Sequence, residues 1–232
     1  MRILALDTSG PFLSVALLDG GIILAEITME APFEHSVNIM PVIKEAFQLA
    51  RITLKDIDLF ACTVGPGSFT GLRIGLATIK GLAIVQDKPI VAVSTLEAMT
   101  ASFPLTDIVV RPLLPASQER VYTAVYKISA PFSFELLQEE KISELGTLLT
   151  MIKEQELLII ATSLMKGRVH FLQKLMSMIP SLRYCSYPIK VSSIGFLAAK
   201  KFKEGNATKA VSIKPKYMSL SHAEERANCE KR

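Results

Sequence analysis

Tryptophan is absent from the chain, and cysteine and histidine occur only three times each in 232 residues. Each shortage removes a class of chemistry. Cys62, Cys185 and Cys229 are odd in number and far apart, which fits neither a disulfide framework nor a zinc site and points to a reducing cytoplasm. His35, His170 and His222 include no pair at the i, i+4 spacing that sets two ligands on one helical face, so a metal centre of that kind lacks its ligands. Charged residues make up 21% of the chain and hydrophobic ones 50%, a balance that excludes a disordered protein. No apolar run reaches membrane-spanning length. Met1-Arg2 leads straight into Ile3-Leu4-Ala5-Leu6, with neither the basic lead nor the cleavage site of a signal peptide.

What is present is more apolar material than one core obviously needs. The net charge of +4 is uneven: residues 190–232 hold ten Lys/Arg against four Glu, whereas residues 1–189 hold 16 against 18. A basic end of this kind meets an acidic partner or a phosphate backbone, or is simply a solvated face. No aromatic residues interleave its lysines in the manner of a stacking platform.

Ile3 to Asp7, Phe12 to Leu18 and Ile22 to Thr28 read as three antiparallel strands joined by Ser9-Gly10-Pro11 and Asp19-Gly20-Gly21. A helix follows, starting between Ser36 and Asn38 so that Pro41 stays near its first turn, and ending near Arg51. Then come a strand over Asp58 to Val64, a glycine-rich loop, a helix over Gly71 to Asp87, and a strand over Pro89 to Val93. Ser94-Thr95-Leu96-Glu97 has capping-box spacing and opens another helix. The order is βββαβαβα. Weaker patterns repeat it: strands over Ile108 to Leu114, Val121 to Ile128 and Phe134 to Gln138, a helix over Glu144 to Gln155, a strand over Leu157 to Ala161, and helices over Leu164 to Ile179 and Val191 to Phe202. The expected fold class is α/β with mixed sheets in two related halves, divided as 1–103, 104–190 and a helix with a basic tail over 191–232 that can return to the first half.

The glycine loop, Val64-Gly65-Pro66-Gly67-Ser68-Phe69-Thr70-Gly71-Leu72-Arg73-Ile74-Gly75, joins an apolar strand to an apolar helix. Its glycines permit positive φ or close approach, and Ser68 or Thr70 can cap the helix. An anion can sit on such a helix start, which makes Gly65 and Gly67 weak candidates for cofactor binding. The loop is no P-loop, because no Gly-Lys-Ser/Thr ends it, and Ser68 directly after Gly67 is no nucleophile elbow.

This loop, with Asp7-Thr8-Ser9 and His35-Ser36, resembles the TsaB (YeaZ) family. The likeness runs along most of residues 1–100 and thins thereafter. It implies an actin-like (ASKHA, RNase H-like) fold and a non-catalytic subunit that binds TsaD and, with TsaE, supports threonylcarbamoylation of the adenosine beside the tRNA anticodon, meeting tRNA only through the complex. It further implies a homodimer when alone, no cofactor on the isolated chain, and ATP or ADP only within the partner complex. The sequence departs from the family at Pro115-Ala116-Ser117, where the family has Asp-Ala-Arg.

Two alternatives stand beside that reading, an ATP-using actin-like enzyme and a peptidase of the kind older family names suggest. Phosphoryl transfer needs donors from matching hairpins in both halves. The second hairpin, Leu113 to Tyr122, has no Asp and no Gly, and the stretch Ala161 to Gly167 keeps one glycine. Asp7, a weak cofactor-binding candidate because an actin-like ATPase would place a carboxylate near magnesium and phosphate at that point, then braces a turn. The helices favour a partner subunit. Apolar residues cover a half-turn of the helix over Ser36 to Arg51, with Met40 and Phe47 on one flank and Val42 and Leu49 on the other. The helix over Gly71 to Asp87 carries only Arg73, Lys80 and Asp87 as charges, every seven residues, and small residues at Gly71, Gly75, Thr78 and Gly81 that permit a second helix to approach. Met40, Ile43, Phe47, Arg73, Leu76 and Lys80 are the expected interface; coverage of these surfaces by the second half of the chain is the alternative. No catalytic and no metal-binding residue is assigned.

Overall fold

The computed structural model describes residues 1–31, 34–116, 119–152, 156–161 and 183–218. At its centre is β1 (Arg2–Asp7), buried on both faces. Alternate β1 residues feed two cores, because successive side chains of a strand point to opposite faces. Leu4 and Leu6 go to one and Ile3 and Ala5 to the other. β2 (Phe12–Asp19) pairs antiparallel with β1, and β3 (Ile22–Glu30) with β2. β4 (Leu59–Thr63) lies parallel to β1 on its other side, and β5 (Ile90–Val93) parallel to β4. The sheet order is β3-β2-β1-β4-β5.

Helices α1 (His35–Ala50) and α2 (Phe69–Gln86) cover the Leu4/Leu6 face through Ile39, Ile43, Ala46, Leu76 and Ile79. α3 (Thr95–Ser102) and α5 (Val191–Lys203) cover the other face through Ala98, Val191, Ile194 and Leu197. Between them α4 (Leu145–Met151) belongs to the second half. α1 begins at His35, so Pro41 falls inside the helix rather than near its first turn. Pro41 there withholds the bond to the Val37 carbonyl. Both side chains are exposed, where water can replace that bond. α3 opens with the expected capping box, the Ser94 N–H donating to Glu97 Oε2 at 3.0 Å and the Leu96 N–H to Ser94 Oγ at 3.2 Å.

The second sheet contains β6 (Ile108–Pro115), β7 (Arg120–Ala130), β8 (Ser133–Glu144), β9 (Glu156–Ala161) and β10 (Tyr184–Tyr187). Its order, β10-β9-β6-β7-β8, repeats the first: a three-strand meander flanked by two parallel strands. β8 runs past the expected Gln138, crossing register shifts against β7, and α4 stops at Met151 rather than Gln155. The expected helix over Leu164 to Ile179 and the tail beyond Met218 lie outside the described residues.

One face of this sheet packs on α3 through Leu96 and Met99, and the other buries Leu145 and Leu148 of α4. α3 therefore sits between the sheets. Among the described residues the apolar clusters of the second sheet include nothing from α1 or α2, so the second half covers the opposite side of the first sheet.

Candidate functional site

The glycine loop is folded onto the turn between β1 and β2. Ser68 N–H donates to the Ser9 carbonyl at 2.7 Å, and Thr8 Oγ1 donates to the Gly71 carbonyl at 2.8 Å. A Cβ at Gly67 would strike the Ser9 carbonyl, one at Gly71 the Thr8 carbonyl, and one at Gly75 the Thr8 hydroxyl. Three glycines thus let backbone and side chain of residues 8–9 lie against the start of α2. Gly65, at φ 116°, lets the Lys216 carbonyl pass at the place a Cβ would occupy. Ser68 caps the helix, its Oγ accepting from Gly71 N–H at 3.2 Å.

Asp7 is buried in the same turn. Its Oδ1 accepts from the Ser9 N–H at 3.0 Å and from Thr63 Oγ1 at 2.6 Å, bracing the turn against the end of β4. Burial, and after it the charge of Asp7, pushes the Cys62 thiol up to about 12, so Cys62 stays neutral and unreactive. His35 is also buried, with Nδ1 2.7 Å from the Ala31 carbonyl and Nε2 2.9 Å from the Gly10 carbonyl. It ties the start of α1 to the β1–β2 turn. Among the described residues no three His, Cys, Asp or Glu side chains group as a metal site; His170 and His222 lie outside them.

Between the sheets is a cavity of about 360 Å³ at the carboxyl ends of β4 and β5, lined by Val64, Ser94, Glu97, Tyr126, Glu140 and Lys201 among others. Four of its charges are spent on one another. Lys201 Nζ meets Glu97 Oε2 at 2.6 Å, and Lys216 Nζ meets Glu140 Oε2 at 2.7 Å. Ser94 Oγ also donates to Glu140, as does the Tyr126 hydroxyl at 3.0 Å. Burial, and then the Glu140 charge, holds the Tyr126 phenol well above its ordinary range. It stays a donor. This network fastens the two halves together: Ser94 and Glu97 belong to the first, Tyr126 and Glu140 to the second.

The helix pair looks the other way. Met40 is 51% exposed, whereas Phe47 is half-buried against the core, Val42 is buried and Leu49 is exposed. Two expected interface residues are corrected: Ile43 and Leu76 are 3% and 4% exposed and belong to the core, because they point at the sheet. Gly71 and Gly75 are likewise filled from inside by Thr8. The outward strip of α2 is Thr70, Arg73, Ala77, Gly81, Ile84 and Val85, all exposed, with nothing within 4 Å of a Cβ built at Gly81.

Arg73 and Lys80 line the edge of that strip and hold the C-terminal segment. Arg73 Nε donates to the Tyr217 hydroxyl at 2.8 Å, and Lys80 Nζ to the Ile213 carbonyl at 3.3 Å. Phe69 and Tyr217 stack at 4.6 Å, with the Arg73 guanidinium 3.9 Å from the Phe69 centroid. Phe202 stands between Lys201 and Lys203 and Tyr217 directly follows Lys216, so the basic end does carry aromatics among its lysines, which corrects the sequence reading.

A family model described as "TsaD: tRNA N6-adenosine threonylcarbamoyltransferase" matches residues 24–227. The chain is 30% identical over 228 residues to the tRNA threonylcarbamoyladenosine biosynthesis protein TsaB of Bacillus subtilis, covering 97% of this chain and 96% of that one. With the TsaB of Escherichia coli it is 41% identical over 99 residues, 43% of this chain and 42% of that one. The solved structure of YeaZ from Pseudomonas aeruginosa superposes with a TM-score of 0.76 at 23% identity, over 93% of this chain and all of that one. Its fold is therefore the expected one, two actin-like halves with mixed sheets. A near full-length match to one TsaB, a second over 99 residues and the shared YeaZ architecture agree: the chain belongs to the TsaB (YeaZ) family.

Proposed function

We propose that this chain is a non-catalytic partner subunit in tRNA threonylcarbamoyladenosine biosynthesis, docking TsaD through the outward side of α1 and α2 and working with TsaE in threonylcarbamoyl transfer to tRNA. The observation that carries the reading is the outward strip of α2. Ile84 and Val85 are 57% and 75% exposed, and Met40 of α1 adds a third exposed apolar side chain. Gly81 lies between them in an open position. Scattered exposed apolar residues are ordinary, but a helix face built of small and branched apolar residues is what a second helix packs on.

The match of a TsaD family model to this chain supports the same partner. Two proteins of one fold can pair through equivalent faces, as two copies of one chain do across a two-fold axis. This face therefore also serves self-association when the chain is alone. The turn that would hold a phosphate is spent on internal bonds, the Asp7 carboxylate among them, which supports a binding role over an enzymatic one.

Size-exclusion chromatography with TsaD tests the proposal. Ile84→Glu with Val85→Glu places two carboxylates where apolar side chains would be buried, and each unpaired charge must be desolvated on docking. The variant is expected to lose co-elution with TsaD while its circular dichroism and melting stay those of the parent, since both positions face solvent. Met40→Glu tests the α1 flank in the same way. Co-elution of the double variant at the parent's affinity would mean that TsaD docks elsewhere.

A further inference from the structure

We infer that the flank of α2 bearing the C-terminal segment is a binding track for single-stranded RNA, with cations for phosphates and Tyr217 as a platform for a base. The segment runs antiparallel to α2. Thr208 bridges Ile90 just beyond the helix, Ile213 meets Lys80 midway, and Tyr217 meets Arg73 near the helix start. Lys88 with Lys209, Lys80 with Lys214, and Arg73 with Lys216 consequently mark three rungs along the helix. From Arg73 to Lys88 the track is about 22 Å long at the α-helical rise.

Its charge is one-sided. Residues 73–90 and 208–218 hold six Lys/Arg and a single acid, Asp87. Among the described residues only Lys216 of these six has a carboxylate partner, Glu140. Elsewhere three cations are paired with carboxylates, Arg2 with Asp19 and Asp56, Arg111 with Glu156, and Lys201 with Glu97. Five like charges along one flank, none neutralised by a carboxylate, repel one another, a cost that a polyanion relieves.

The end of the track selects the kind of polyanion. The Tyr217 ring is 43% exposed yet fixed on both sides, by its stack on Phe69 and by the Arg73 bond to its hydroxyl. A lysine track alone suits an acidic protein segment equally well. An exposed, immobilised aromatic ring beside an arginine at the end of such a track is what an unstacked base uses. That the strand is RNA rests on the function proposed above; the geometry asks only for a single strand.

Fluorescence anisotropy with a labelled RNA oligonucleotide and the free full-length chain tests this without TsaD, so failure here leaves the docking proposal untouched. Of the five cations without a carboxylate partner, Arg73 is engaged by the Tyr217 hydroxyl; the other four, Lys80, Lys88, Lys209 and Lys214, give a slope of log K against log salt of about −2.8 on a single strand. Lys209→Gln with Lys214→Gln is expected to reduce that slope by about 1.4, one increment of about 0.7 per lost phosphate contact. Tyr217→Ala should weaken binding about tenfold with little change of slope, while Tyr217→Phe, which keeps the ring and loses the bond to Arg73, should retain most of the affinity. Lys44→Gln with Lys55→Gln, away from the track, should change neither quantity. An unchanged slope in the tail variant, or no binding at low salt, overturns the inference. Equal binding of a polyglutamate peptide that ignores Tyr217→Ala would also overturn it, and would assign the track to an acidic protein.

Discussion

Gly81 offers a perturbation whose two consequences have opposite sign. It lies in the middle of α2, is exposed, and has open space where a Cβ would point. A glycine in a helix interior costs about 0.5–1 kcal/mol relative to alanine, and leucine is nearly as good a helix former as alanine. In the free chain Gly81→Ala should therefore stabilise, raising the melting temperature by about 2–4 °C for about 1 kcal/mol in a chain of this size. Gly81→Leu should stabilise comparably. In a complex where a TsaD helix lies against this strip, the added atoms must be accommodated at the closest approach, and overpacking costs about 1–3 kcal/mol. That is about 5- to 150-fold in affinity. Differential scanning calorimetry of the free variants and calorimetric titration with TsaD measure the two effects separately. Unchanged affinity with Gly81→Leu would show that no partner approaches the strip. A lowered melting temperature would show that the chain itself already fills the space.

Two further outcomes concern the turn beneath α2. Asp7→Ala leaves the Ser9 N–H and Thr63 hydroxyl without their acceptor and should cost about 1–3 kcal/mol in urea unfolding, while the parent and the variant alike show no ATP hydrolysis and no peptide cleavage; turnover that vanishes in the variant would establish the enzymatic alternative. The Cys62 thiol keeps its proton until about 12 when folded but releases it near 9.0 when unfolded, so the unfolded chain binds fewer protons in that window and stability falls as pH rises, by up to about 1.4 kcal/mol per unit. Cys62→Ala should flatten the drop in urea midpoint between pH 8 and pH 10, and an identical drop in both proteins would refute the assignment.

Much of the first half was legible in the sequence because its signals are local. The Ser94-Thr95-Leu96-Glu97 box, the punctuation at Asp19-Gly20-Gly21 and the apolar run ending at Val64 each depend on a few neighbouring residues. The roll of α2 was not legible. A helix apolar on nearly all sides has no preferred inward direction in its pattern, so Leu76 and Gly75 could be placed outward until the sheet and Thr8 fixed the orientation. Ile43 was misplaced for a related reason, since a half-turn of apolar surface on α1 does not say where the core ends. Long-range pairs escaped altogether. Arg111, wholly buried, forms a two-pronged ion pair with Glu156 at 2.6 and 3.2 Å, 45 residues away, and nothing near either residue announces the other. Tyr217 meets Arg73 across 144 positions. β10 was missed because Tyr184-Cys185-Ser186-Tyr187 is too short to show alternation.

The seven-residue spacing of Arg73, Lys80 and Asp87 gains its explanation from this arrangement. In sequence the three charges suggest the solvent stripe of a helix whose remaining surface is buried in core and partner. In the structure α2 has three sides with different work. One takes Leu72, Leu76, Ile79 and Ala83 into the core, with Gly71 and Gly75 making room for Thr8. A second, Ala77, Gly81, Ile84 and Val85, faces outward. Between them runs the charged stripe, and it is a seam: Arg73 grips Tyr217, and Lys80 grips the Ile213 carbonyl while Ile213 itself is buried in the core. A stripe of seven-residue period stays on one side of a helix for its whole length, which is what an extended segment laid antiparallel along α2 requires. The same segment covers the edge of β5 through Thr208 and Ile90 and reaches Glu140 of the second half through Lys216. Edge strands left open invite pairing with other chains. Arg73 and Lys80 thus serve to seat the strap that closes the sheet edge and joins the halves, and the apolar strip beside it is left as the surface with no use inside the monomer.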